Sequence, residues 1–144
     1  MKRILSISFL GLLIGLCSCK KNHDLPTVSP PHWTVDQTGQ YPTSMTVVVQ
    51  LPEDLRPYIQ ENDQIGAFVG EECRGIGTQV VSGSVSAFFI LVHGTTSEQS
   101  MLSFQYYSSS KKHLYATPAF LKFTPDGSYG SADGPRTLDL DPAK

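Results

Sequence analysis

Cysteine is the first scarcity. The chain of 144 residues has three, at positions 17, 19 and 73. Two stand close together near the start, so Cys73 is alone in the rest of the chain and no internal disulfide can form there. A domain without such a staple must hold itself by burying a core, which a chain of more than about 100 residues can do. Charge is also sparse. Only 17% of the residues are charged, the formal net charge is −2, and no basic cluster occurs. That excludes the basic face on which nucleic-acid binding depends. The one long apolar run, Ile4 to Leu16, is shorter than the roughly 20 residues needed to span a bilayer. No segment carries a helical apolar period. There is no H-E-x-x-H, no G-x-S-x-G and no phosphate-binding loop, and nothing asks for a cofactor.

What is there begins with Lys2 and Arg3, ahead of that apolar run. A positive start, a short apolar middle and a small-residue exit describe an export signal, which stands outside the fold. The exit reads Leu16-Cys17-Ser18-Cys19. It resembles a lipobox, with a leucine three residues before the cysteine and a small residue just before it. Cys17 follows the bulky Leu16 and fits less well than Cys19. The resemblance implies acylation of Cys19 and anchoring of the mature chain to a membrane, with several acyl chains giving stable attachment. Lys20 stands where an aspartate often retains lipoproteins in an inner membrane. The expected location is therefore the cell envelope, at the outer membrane or cell surface. Loss of Lys2 and Arg3 leaves four more acidic than basic residues.

Residues 19–32 read as a lipidated start and a proline-rich tether, with Pro26, Pro30 and Pro31 favouring extended backbone. Residues 33–144 read as one domain. Segments 45–51, 64–69, 73–82, 85–93, 101–108, 113–116, 119–124 and 136–140 alternate or run apolar, and turn residues separate them. Segment 85–93 is apolar on both faces, as in a central strand. Pro57 limits 52–63 to one helical turn ahead of it. The expectation is an all-β fold: an antiparallel β-sandwich of about eight short strands, immunoglobulin-like or like a carbohydrate-binding module.

One stretch carries a second resemblance. Asp63-Gln64-Ile65-Gly66-Ala67-Phe68-Val69, a Gly70-Glu71-Glu72 turn, then Cys73-Arg74-Gly75 form a distinctive hairpin. Further on come Phe123, Asp126, Gly127, Gly130, Pro135 and Leu138. This resembles an all-β module of bacterial surface and secreted proteins. The resemblance covers roughly residues 41–140, and implies a β-sandwich at the surface but no catalytic residue.

Candidate sites divide by chemistry. Cys73 reads as a buried thiol, or as a nucleophile with His93 as base and Arg74 or Glu72 lowering its pKa. Glu53-Asp54 and Glu71-Glu72 are the adjacent carboxylate pairs, and both read as solvated turn charges. Asp126 to Asp133 fails the pattern of a calcium loop, because Gly130 and Ser131 stand at its fifth and sixth positions. No metal site is expected. The aromatic residues suit a glycan better. Tyr106 and Tyr107 point to opposite faces of a strand, so one should meet solvent. Trp33, at the junction of tether and domain, and Tyr107 are the candidate sugar platforms. The reading is thus a monomeric, lipid-anchored surface domain that binds a glycan or another surface protein and is not an enzyme. A carbohydrate-binding module is the first alternative. A small hydrolase using Cys73 or a carboxylate pair is the second.

Overall fold

The computed structural model describes residues 25–144, so the expected export signal and the expected lipidation site, Cys19, lie outside the described residues. The fold is all-β. Its strands are β1 (Thr43–Gln50), β2 (Gln64–Val69), β3 (Glu72–Ser82), β4 (Val85–Gly94), β5 (Met101–Ser108), β6 (His113–Ala116), β7 (Leu121–Lys122), β8 (Ser128–Tyr129), β9 (Arg136–Thr137) and β10 (Asp141–Pro142). The helical element is a 3-10 turn at Arg56–Tyr58. Pro57 stands inside this turn rather than after it. At the first positions of a short helix the missing N–H costs nothing.

The expected antiparallel sandwich is replaced by one curled, mixed sheet shaped as a half-barrel. Two features make the difference. First, β1 pairs antiparallel with β4 on one side but parallel with β8 and β9 on the other. Second, β3 belongs to both halves of the curl. Its first part pairs with β2, with Gly66 opposite Ile76 and Val69 opposite Glu72. Its second part, Gly77 to Ser82, pairs with β4. Around this path the order runs β10-β6-β5-β2-β3-β4-β1-β8, with β7 beside β5 and β9 beside β1.

Two sequence details make the crossing possible. Ala67 faces Gly75 and Phe68 faces Cys73, so Arg74 is an extra residue in a β-bulge. Bulges bend a strand and re-aim the inserted side chain. Gly75 then presses against β4, where a Cβ would lie 2.5 Å from the Leu91 carbonyl oxygen. Only glycine permits that approach.

The core fills the inside of the curl. Met45, Val47 and Val49 of β1 meet Phe88, Ile90 and Val92 of β4, Ile65 and Ala67 of β2, and Leu102, Phe104 and Tyr106 of β5. Phe123 and Leu138 close it from the C-terminal segments. Among the described residues the outer face of β4 is only partly covered, and Leu91 there is 50% exposed. The apolar run of 85–93 thus reflects a central strand with only one face fully covered.

Candidate functional site

A groove of about 630 Å³ lies at the β2–β5–β6 side of the curl. Three separate stretches build it. Thr27, Val28, Ser29 and Pro30 form one wall, Asn62 and Gln64 another, and Tyr107, Ser109 and Lys112 complete the lining. The first wall is the proline-rich stretch before Trp33, which lies along the domain as a strap. Val28 N–H donates to the Lys112 carbonyl at 2.8 Å, and His113 Nδ1 lies 3.2 Å from the Pro26 carbonyl oxygen. The Tyr107 hydroxyl reaches the Val28 carbonyl at 3.4 Å. Lys112 has φ +54°, a left-handed turn conformation.

Asp63 holds the two loops that frame the groove. Its Oδ1 accepts from the Ser109 N–H at 2.8 Å and the Ser109 hydroxyl at 2.6 Å. Its Oδ2 accepts from Gln60 N–H at 2.9 Å and from the Tyr106 hydroxyl at 2.5 Å. Burial, and then the Asp63 carboxylate, push the Tyr106 phenol far above its ordinary value, so it stays a donor. Next to this knot, Lys111 Nζ sits 3.9 Å from the centre of the Tyr58 ring. The acidic residue of the hairpin motif therefore positions a loop rather than entering the groove.

Tyr107 needs correction as a sugar platform. The alternation along β5 holds: Leu102, Phe104 and Tyr106 are buried in the core, and Tyr107 points the other way. Yet Tyr107 is only 2% exposed, because the strap covers it. It lines the groove but offers little of its ring to solvent. Trp33 does not line the groove. It is half-buried and meets Phe68 edge-on, with ring centres 5.3 Å apart and planes at 76°. The two aromatics do not form a joint platform.

Cys73 is buried, and its thiol reaches the Gly75 carbonyl at 3.5 Å. Burial pushes its pKa up, against a smaller lowering from that carbonyl bond. Among the described residues no hydrogen bond joins it to His93, which is tied into the neighbourhood through its backbone. Arg74 is the busier neighbour. Its guanidinium bonds Glu72 at 3.0 Å, the His93 carbonyl at 3.2 Å and Glu98 at 3.2 Å, and it lies 3.5 Å from the centre of the Tyr41 ring. The Tyr41 hydroxyl donates to Glu72 at 2.8 Å. Glu98 also accepts from the Thr95 N–H at 3.1 Å and from the Ser100 hydroxyl. Burial raises the Glu98 pKa, but the bonds from Ser100, Thr95 and Arg74 outweigh it and hold the carboxyl below its ordinary value. This network is closed on itself. Arg74 spends its donors inside the protein and lowers no thiol.

The remaining motif residues shape the C-terminal crossover. Asp126 has φ +55° and donates its N–H to the Ser44 carbonyl. Gly130, at φ +76°, packs against the backbone of Val48. Among the described residues, no three His, Cys, Asp or Glu side chains gather where they could hold a metal ion. Glu53, Asp54 and Glu71 are exposed.

The groove itself went unread in the sequence. Asn62, Ser109 and Lys112 belong to no motif, Gln64 fills a variable position of the hairpin stretch, and the strap reads in the sequence as tether. Only the pairing of β2 with β5 brings these segments together. No protein-family model, no curated protein and no solved structure matches the chain.

Proposed function

We propose that this chain is a lipid-anchored protein of the bacterial envelope, held through Cys19, whose β domain binds a glycan in the groove and does not turn it over. The groove carries this reading. Its lining offers two side-chain amides, four hydroxyl residues (Thr27, Ser29, Tyr107 and Ser109) and one ammonium, beside the apolar Val28 and Pro30. That mixture suits a sugar, whose hydroxyls alternate with apolar C–H faces. The lining holds no carboxylate, thiol or imidazole to act as acid, base or nucleophile. Lys112 favours a sugar bearing an acidic group.

Mass spectrometry of the membrane fraction is expected to find acylated Cys19 as the first residue. A mature chain that begins elsewhere and is free in the medium rejects the anchor. For the groove, full-length protein in detergent is screened on a glycan array, and calorimetry then compares variants. Lys112→Met should weaken an acidic glycan about tenfold, since a hydrogen bond to a charged group contributes roughly 1.5–3 kcal/mol. Asn62→Ala and Gln64→Ala should each cost about two- to tenfold. Trp33→Ala should leave affinity unchanged. An array without a hit, or a hit indifferent to all three groove substitutions, rejects the glycan site and favours a protein ligand.

A further inference from the structure

Past Ile76, β3 has a strand on one side only among the described residues. Gly77 to Ser82 pair with β4, while the pairing with β2 ends at Gly66 opposite Ile76. Among the described residues, no loop donates a backbone hydrogen bond to this stretch. An open edge of this kind invites another strand, and proteins usually defend it with charge, proline, shortness or cover. The other ends of the sheet follow that rule. β8, β9 and β10 are two residues long, and β9 and β10 bring Arg136, Asp141 and Pro142 to the margin. The β3 edge has no such defence. Thr78-Gln79-Val80-Val81-Ser82 contains no proline, and no Asp, Glu, Lys or Arg occurs anywhere between Arg74 and His93. Val81 is 66% exposed, and Val80 is exposed beside it.

We infer that this edge pairs antiparallel with the same edge of a second copy of the chain, continuing the sheet through a two-fold axis at Val80. The absence of charge argues for self-pairing over a foreign strand. In a two-fold interface each residue meets its own counterpart or a near neighbour, so any ionised side chain would face its like. The uncharged hairpin meets that condition in a chain that is otherwise net acidic. With the axis at Val80, Val80 faces Val80 and Thr78 faces Ser82. Ile76 and Val80 of each copy then lie on the same outward face of the continued sheet, with Leu91 on the neighbouring strand. The edge shares no residue with the groove, so the two sites are independent. The sequence reading expects a monomer; an open edge becomes visible only when the strand pairing is known.

The test uses the full-length protein in detergent. Single cysteines replace residues 78 to 82 in turn, with the native buried Cys73 kept in place. Opposed residues of a strand pair have Cβ atoms about 4.5–5.5 Å apart, close enough for a disulfide. Mild oxidation should give a cross-linked dimer most efficiently with Val80→Cys. Sedimentation, corrected for detergent mass, should show a dimer for the unmodified chain. Val80→Lys and Val81→Lys should weaken it at least about tenfold by setting like charges against each other. Met101→Lys, an exposed change on β5, should leave it intact. Circular dichroism checks that both edge variants remain folded, as their exposure predicts. A monomeric parent, a dimer that survives both lysines, or a dimer that cross-links at none of the five positions overturns the inference.

Discussion

Replacing Arg74 with alanine is expected to destabilise the domain by about 3–5 kcal/mol, the usual loss when one partner of a buried ion pair is removed. The side chain of Arg74 is 7% exposed and that of Glu98 is 9% exposed. The truncation leaves the Glu98 carboxylate buried without its counter-charge and the His93 carbonyl without a donor. It also uncovers the Tyr41 ring that lies on the guanidinium. Arg74→Lys should recover less than half of the loss. An ammonium cannot reach Glu72, Glu98 and the carbonyl in one plane as the guanidinium fork does. Urea denaturation measures both changes, and a loss under about 1 kcal/mol for Arg74→Ala would show the network to be ornamental. The same pair gives a pH signature. Glu98 has its folded pKa held below the ordinary value of 4.5. Its contribution is therefore present above that value and is lost as the pH falls through the lower folded one. Stability of the parent should fall on acidification through this window, and Glu98→Gln should flatten that limb.

Phe123→Ala should cost a similar amount, about 3–5 kcal/mol. Phe123 lies in irregular backbone between β7 and β8, yet it is 1% exposed. Its ring rests against Gly94, where an added Cβ would come within 2.6 Å of the ring. Its N–H donates to the Ser100 carbonyl at 2.9 Å, and the next N–H points at Met45 Sδ. Removing the ring opens a cavity at the point where the C-terminal segment turns back towards β1. Phe120 gives the contrast. It is 40% exposed, with ring centres 5.8 Å from Phe104 and 6.1 Å from Tyr129. Phe120→Ala should cost only about 1 kcal/mol, the worth of an exposed aromatic contact. Thermal melts of the two variants separate the cases. Equal effects would mean that Phe123 does not anchor the crossover.

The strands that alternate cleanly were legible in the sequence. The spans 64–69, 101–108 and 113–116 coincide with β2, β5 and β6: alternation marks β5, and the Gly70-Glu71-Glu72 turn marks the end of β2, whose central residues are buried on both faces. The sheet's closure was not legible. Alternation shows that one face is buried, but a strand buries Val47 and Val49 in the same way against a facing sheet or inside its own curl. β8 and β10 are too short to show a pattern and exist only through their partners, β1 and β6. Tyr107 was misjudged for a related reason. Its direction followed from β5, but the cover came from Val28, whose docking rests on hydrogen bonds with Lys112 and Tyr107 and on no apolar repeat. The motif residues became clear only with coordinates. Asp63 organises loops, Arg74 fills a bulge, and Asp126 and Gly130 supply left-handed turns, so their spacing marked a shape rather than a reaction.

The parallel pairing of β1 with β8 and β9 bears on when the chain can fold. Thr46 meets Ser128, Val49 meets Arg136, and β10 returns to β6. Such distant partners give a high contact order, for which folding is slow because loop entropy is lost before distant contacts form. The N-terminal strand stays unsealed on one side until the C-terminal segment has been delivered. Under the export proposed above, this delay is an advantage: a polypeptide that closes its sheet late remains threadable while it crosses a membrane, and completes the fold on the far side.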